Sequence, residues 1–503
     1  MGMLSKKMMM LILGTGVYSP NTSDFTLDAS DSFNRTNGAL GDTDGAGIDG
    51  VTGGAGLTWV EKIGTWTITT NVARAATVAA SNAVATVDTV KADGIICAKI
   101  TTAGSNGIVM RYVDTSNYVR CYISTTAITL AEIVAGTAST LKNTPITYVA
   151  GADLICRLDG LRVGVEYNGT YIGSYAINAA FASSTLHGMW TNGAASTWNV
   201  NEWHFISLPA YQDIQHPSVV QLLAGEYLVT TPMRGDVARC AEFDLRQEKS
   251  ILSGWAAASG TRHLFGIDLV TIATGAKVVL SAGTGMEMAG QIGADADLQG
   301  DYGYFGTGHQ RETITAFSMT IPRLASIPRW KRVYCQNVRV DQTMNTIYPK
   351  DKATVIGTTT MRHVFRSTGL LVTRSHTYSA GYKLYNWYGG MMSIANPGVD
   401  TYQVGTEAAA SMVFDDAAKN LNTQTDIYKA WLAAGDYNVC MRLPTGGPSD
   451  PADWSKAGGY KGWFKDNADH AGKFYANYVD TNFAGAVAAV PSAHVCEYYV
   501  EKQ

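Results

Sequence analysis

The run Leu154-Ile155-Cys156-Arg157-Leu158-Asp159-Gly160 continues through Leu161-Arg162-Val163-Gly164-Val165-Glu166-Tyr167 to Asn168-Gly169, then Thr170-Tyr171-Ile172-Gly173-Ser174-Tyr175. It encodes two successive hairpins. Asp-Gly and Asn-Gly tolerate the positive φ values that two-residue reversals demand. Residues 162–167 alternate imperfectly between polar and apolar, as a strand with one wet face does. Similar strands read at residues 64–73, 94–101, 108–114, 118–124, 127–134 and 198–208. About ten short strands within roughly 185 residues predict a two-sheet sandwich.

A polar break at residues 209–217, read as a linker, divides this region (residues 25–208) from a longer one (residues 218–503). Residues 1–24 precede both. The longer region is also strand-rich, at 226–231, 262–272, 277–280, 313–321, 331–340, 370–376 and 493–500. One helix is expected over 425–434, where Ile427, Trp431 and Leu432 fall at helical spacing and Gly435 supplies a stop. The predicted fold class is therefore all-β: two β-sandwich domains with a short N-terminal arm and few helices. No repeat of fixed period is found.

Charged residues are 16% of the chain and the net charge is -4. That balance offers no basic field for nucleic acid and none of the charge excess that keeps chains disordered. The seven cysteines, Cys97, Cys121, Cys156, Cys240, Cys335, Cys440 and Cys496, are odd in number and widely spaced. Neither a zinc site nor a disulfide framework is expected, and they read as small buried residues of a reducing compartment. After Lys6-Lys7 the apolar run Met8 to Leu13 has six residues. A secretion signal needs ~7–15 and a membrane span ~20. The segment reads instead as an arm that docks on a partner.

Asp31-Ser32-Phe33-Asn34-Arg35, Leu40-Gly41-Asp42-Thr43-Asp44-Gly45, Leu57-Thr58-Trp59, Gly64-Thr65-Trp66-Thr67-Ile68 and Asn71-Val72-Ala73 follow in a telling order and spacing. The pattern resembles the opening of the concanavalin A-like (laminin-G-like) sandwich modules carried by tailed-phage virion proteins. The resemblance covers residues 25–208 and implies a jelly roll with a binding or assembly role, often with glycans, and in some members calcium. Asp42, Asp44 and Asp49 are the oxygen ligands such an ion would use. Turn chemistry accounts for them equally well. Trp59 and Trp66 supply large apolar anchors for a core. The second region resembles, more loosely, galactose-mutarotase-like sandwiches, through Arg362-His363-Val364-Phe365 and Gly381-Tyr382-Lys383-Leu384-Tyr385. That family's enzymes use a His and a Glu at a sugar site. The histidines here are His363 and His376. Glu407, the closest downstream glutamate, does not align, so the chemistry is not carried over.

Asp295 to Asp301 begins like a calcium loop, but Gly306 stands where the bidentate Glu belongs, which favours a polar turn. Asp400, Glu407, Asp415 and Asp416 form an acidic set that a depolymerase could use; a solvated loop is the favoured reading. No GxSxG elbow or phosphate loop occurs. Sugars stack on aromatic faces. Trp190, Trp198 and Trp203 cluster late in the first region, and Tyr385, Trp387 and Tyr388 in the second. These six are the candidate glycan-binding residues; cores and subunit interfaces are the other places for them.

The combined expectation is a structural protein of a tailed-phage particle, assembled in the bacterial cytoplasm. It would be a tail fibre or similar receptor-binding appendage that touches host surface glycans. It would dock on other virion proteins through its N-terminal arm and form a homo-oligomer, any trimer arising through sandwich faces. A capsid decoration or head-fibre protein uses the same modules. A polysaccharide depolymerase with a lectin-like accessory domain is the alternative of another class. No catalytic residue is assigned, and calcium is the one cofactor considered.

Overall fold

A computed structural model describes residues 21–503 apart from 24, 49–50, 52, 80–81, 193–198, 209–210, 212–214, 250–258, 283–286, 295–302, 306–311, 349–350, 352, 396–397, 407, 413–417, 425–426, 444–460, 466–470, 480–486 and 489–491. The described residues form an all-β protein of sandwiched sheets, with one short 3-10 turn at Ala179–Phe181. No helix among them is long and apolar enough to cross a membrane.

The first sandwich pairs a seven-stranded sheet with an eight-stranded one. The seven-stranded sheet runs Thr137–Pro145, Ala127–Val134, Asn117–Ile123, Asn106–Asp114, Leu186–Thr191, Ala83–Asp88, Val60–Ile63. The eight-stranded sheet runs Thr170–Ala176, Arg162–Tyr167, Ala152–Asp159, Gly94–Ile100, Asn199–Ser207, Ala73–Thr77, Thr65–Ile68, with Thr26–Asp31 beside Asn199–Ser207. Both expected hairpins are present. Asn168 and Gly169 take φ of 48° and 71° at the second turn, which only residues tolerant of the left-handed region adopt cheaply. Residues 64–73 are two strands and not one: Thr70 and Asn71 adopt positive φ and turn the chain between Thr65–Ile68 and Ala73–Thr77.

The motif around Asp31 is a latch. Its carboxylate accepts from Phe33 N at 2.8 Å, from Arg35 Nη1 and Nη2 at 2.5 and 2.9 Å, and from Trp59 Nε1 at 2.7 Å. Phe33 and Trp203 both pack on Trp59, with ring centroids 5.9 and 5.2 Å away. The turn is thereby fastened to the core by one buried carboxylate.

In the second sandwich a nine-stranded sheet packs against two seven-stranded sheets. The nine-stranded sheet runs Glu312–Thr320, Val338–Ile347, Val355–Arg366, Gly369–Tyr378, Ser492–Lys502, Tyr437–Arg442, Ile427–Trp431, Thr401–Val404, Ala410–Ser411. The expected helix at 425–434 is a strand over Ile427–Trp431, where Tyr428 and Ala430 are buried and their neighbours half-buried. Period-two burial between two strand partners overrode the helical spacing of three apolar residues. Residues 331–340 also divide: Arg332–Tyr334 and Val338–Ile347 belong to different sheets. All seven cysteines are buried, and none is in a disulfide.

The two sandwiches share a buried face. Strand Gly94–Ile100 is apolar on both sides because Ile96 and Ala98 face its own core while Ile95 and Cys97 face the second sandwich. There Phe25, Leu27, Ile155, Tyr171 and Ile206 meet Val220, Leu222, Leu223, Leu228 and Trp330. Phe25 stands edge-on to Trp330 at 5.7 Å. Asn21–Ser23, the end of the expected arm, forms an edge strand on Arg332–Tyr334 of the second sandwich. The remainder of the arm, residues 1–20 and 24, lies outside the described residues. Tyr211, within the expected linker, donates to Glu242 and lies under the Arg332 guanidinium, 4.3 Å from the ring centroid.

Charges cross this face. Arg157 Nη1 lies 3.1 Å from Glu226, and the Tyr171 hydroxyl donates to Glu226 at 2.7 Å. Glu166 accepts from Arg329 and from Ala224 N, the latter at 2.7 Å. Gly164 sits between Arg157 and Ser174 in register. A Cβ there would fall 3.0 Å from Glu226 Oε1, so this glycine admits the Glu226 carboxylate.

Nearby, Asp268 stands directly opposite Glu242 across two strands. Burial raises its carboxyl first; Lys277 opposes, while Glu242, Asp159 and Asp244 add to the rise, leaving it at about 7. A carboxyl raised by folding holds its proton more tightly in the native state. Its contribution to stability is therefore lost as pH climbs from about 4 to about 7. Asp268→Asn is expected to remove that loss. Relative to wild type it should gain about 2–4 kcal/mol between pH 4 and pH 8, read from denaturant titrations at the two pH values.

Candidate functional site

The inner face of the nine-stranded sheet changes character along its strands. In Val338–Ile347, Val355–Arg366 and Gly369–Tyr378 the inward positions at one end are apolar: Val338, Val340, Phe365, Leu370 and Val372. Toward the other end they become Gln342, Thr346, Thr359, Arg374 and His376, each at most 2% exposed. Glu312, on the adjoining edge strand, is 3% exposed. A sandwich interior has no packing reason for such a row, and buried polar groups are costly unless paired.

Register brings these groups together. Thr359 pairs with Met344 on one side and with His376 on the other, and Arg374 pairs with Met361. Glu312 lies opposite Thr346. Thr359 Oγ1 is 3.0 Å from His376 Nδ1 and 3.2 Å from Thr346 Oγ1. The His376 and Tyr378 rings stack at 5.7 Å with 10° between their planes. Burial, helped by Glu312 and opposed by Arg374, holds the Tyr378 phenol well above its usual range, so it remains protonated.

The centre of the cluster is an ion pair between Arg374 Nη2 and Glu312 Oε1. Arg374 Nε and Nη1 and Glu312 Oε2 are buried and have no hydrogen-bond partner among the described residues. Two open donors and one open acceptor side by side suit a hydroxyl group, which donates and accepts at once. A vicinal pair of hydroxyls would satisfy all three atoms.

Of the residues singled out from sequence, His376 belongs to this cluster. His363 is on the same face nearer the apolar end, stacked on Phe365 at 6.3 Å. Glu312 and Arg374 were not foreseen. They lie 62 residues apart in sequence, and the one signal was an arginine in the inward register of Leu370, Val372, His376 and Tyr378.

The aromatic candidates are placed differently. Trp203 is fully buried in the first core against Trp59, so it does not offer its face to a sugar. Trp190 is 1% exposed, with the Arg120 guanidinium 4.4 Å above its ring; a cation occupies the face a sugar was expected to take. Trp198 lies outside the described residues. Tyr385, Trp387 and Tyr388 belong to strand Tyr382–Ala395, and their side chains lie outside the described residues. Glu407, Asp415, Asp416 and residues 295–301 also lie outside them.

Asp44 is used by its own turn. It accepts from Ser32 N at 3.1 Å and from Ala46 N at 2.9 Å. Burial raises its carboxyl, but the Ser32 and Ala46 bonds outweigh this and hold it below the usual range. Asp42 accepts from Thr58 Oγ1 at 2.7 Å, and Asp49 lies outside the described residues. Among the described residues no group of three or more metal-ligating side chains converges.

No family model and no curated protein matches the chain. Solved structures similar to parts of it include a carbohydrate-binding module, CBM66, from Bacillus subtilis. It is 14% identical, covers 30% of this chain and 93% of its own, and has a TM-score of 0.24. A galactose mutarotase-like protein from Clostridium acetobutylicum is 8% identical, covers 55% of this chain and 96% of its own, and has a TM-score of 0.29.

Proposed function

We propose that this chain is a glycan-binding protein that holds a saccharide at the polar end of the second sandwich. The observation that carries the reading is the buried Glu312–Arg374 pair, with three hydrogen-bonding atoms that have no partner among the described residues. Unmade bonds of this kind cost about 1–3 kcal/mol each, a cost that a hydroxyl-rich ligand recovers. His376 and Thr359 line the same face and would orient the ring. The wider setting we propose is the surface of a tailed-phage particle, as a tail fibre or appendage recognising host glycans. The latch motif at Asp31 to Trp59, with its likeness to virion sandwich modules, supports that setting.

The test measures binding of the full chain to surface polysaccharides of candidate host bacteria, with reducing ends assayed in the same samples. Binding without new reducing ends is the expected result. Release of reducing ends would replace the adhesin reading with a depolymerase. Failure to bind neutral saccharides of any kind would overturn the glycan reading itself.

A further inference from the structure

The seven-stranded sheet of the first sandwich has a second, outward face. Tyr118, Arg120 and Tyr122 alternate onto it from Asn117–Ile123, while Val119, Cys121 and Ile123 face the core. In register, Arg120 is followed across the sheet by Val109, Gly188 and Thr86, and Tyr122 by Gly107, Trp190 and Val84. Glycine interrupts both rows. A Cβ at Gly107 or Gly188 would fall 2.0 Å from a neighbouring carbonyl oxygen, so no side chain can fill those positions. The Arg120 side chain crosses the gap instead. Its guanidinium lies 4.4 Å from the Trp190 ring and 5.4 Å from the Tyr122 ring, and the two rings are 4.8 Å apart.

Three polar atoms on this face are buried without a hydrogen-bond partner among the described residues: Arg120 Nε, Trp190 Nε1 and Thr86 Oγ1. Trp190 is 1% exposed and Thr86 0%. Two of these atoms can only donate, and the third can donate. Among the described residues no carboxylate pairs with Arg120. Asp88, at the end of the same strand as Thr86, is already bonded to Thr185 Oγ1 and Val90 N. The set therefore lacks an acceptor, and what completes it is an oxyanion, the partner a guanidinium binds most strongly. The half-buried Tyr122 ring beside it is the flat apolar surface on which the C–H face of a sugar rests.

We infer that the outward face of the first sandwich is a second saccharide site, selective for acidic sugars. The carboxylate of a hexuronate is held by Arg120 and Thr86 while its ring lies on Tyr122. As the guanidinium turns to the carboxylate it uncovers Trp190, whose Nε1–H becomes available to the ligand. This site is independent of the Glu312–Arg374 cluster in the second sandwich and stands or falls separately.

The test is calorimetric titration of the full chain with an oligogalacturonate and with its methyl ester, which keeps the sugar rings and has no charge. The acid is expected to bind at least tenfold more tightly, with affinity falling as salt is added. Arg120→Gln, a half-exposed position that should leave folding intact, is expected to abolish the preference, and Arg120→Lys to retain part of it. Equal binding of acid and ester, undiminished binding by Arg120→Gln, or no binding of the acid would overturn the inference. Inorganic sulfate binding as tightly as the oligosaccharide would also overturn it, because the site would then serve a free anion.

Discussion

Glu226→Leu is expected to destabilise the protein by about 3–5 kcal/mol and to separate the unfolding of its two halves. Glu226 is fully buried where the sandwiches meet, and it holds both Arg157 and the Tyr171 hydroxyl from the other side. Removing it strands a guanidinium that is 4% exposed and a phenol that burial and Glu226 keep well above its usual range. Arg157 retains Asp159 at 2.7 Å, so the loss should lie toward the lower end of that interval. The wild type is expected to unfold in one cooperative transition, because an apolar cluster and two ion pairs span the joint. The variant should show two transitions in calorimetry, and adding Arg157→Leu should recover much of the loss, since an apolar pair of similar volume is often as stable as a buried ion pair. A single transition with unchanged midpoint in Glu226→Leu would show that the joint contributes little.

Arg374→Lys is expected to reduce neutral-saccharide binding by at least tenfold while costing little stability. Lysine keeps the charge opposite Glu312 but lacks the planar fork that places Nε and Nη1 beside Oε2. The double variant Glu312→Leu with Arg374→Leu removes the pair together. It should fold at least as stably as wild type and bind no neutral saccharide. If the pair were present for stability alone, the double variant would bind glycans like wild type; equilibrium binding alongside denaturant titration separates the two cases.

The hairpins at Asp159-Gly160 and Asn168-Gly169 were legible because turn chemistry is local. So was the burial of Cys97 and Cys156, read as small buried residues. The strand at Ile427–Trp431 was not, because its partners, Thr401–Val404 and Tyr437–Arg442, are brought beside it by the fold. The candidate site escaped for the same reason. Glu312 and Arg374 meet across strands that sequence order keeps apart, and neither carries a motif. Trp203 misled because tryptophan serves a core and a sugar face with the same ring, and only its packing on Trp59 separates the two uses.

Strand Asn21–Ser23 completes the sheet edge at Arg332–Tyr334, and the two strands leave the ribosome far apart in time. Roughly 300 residues are translated between them, which at about 5–20 residues per second takes some 15–60 s. The whole first sandwich emerges in that interval and can close on its own core. Asn21–Ser23 therefore has no Arg332–Tyr334 partner until that later stretch is made. The finished pairing ties the lead-in to the first sandwich to a domain that did not exist when that lead-in was made.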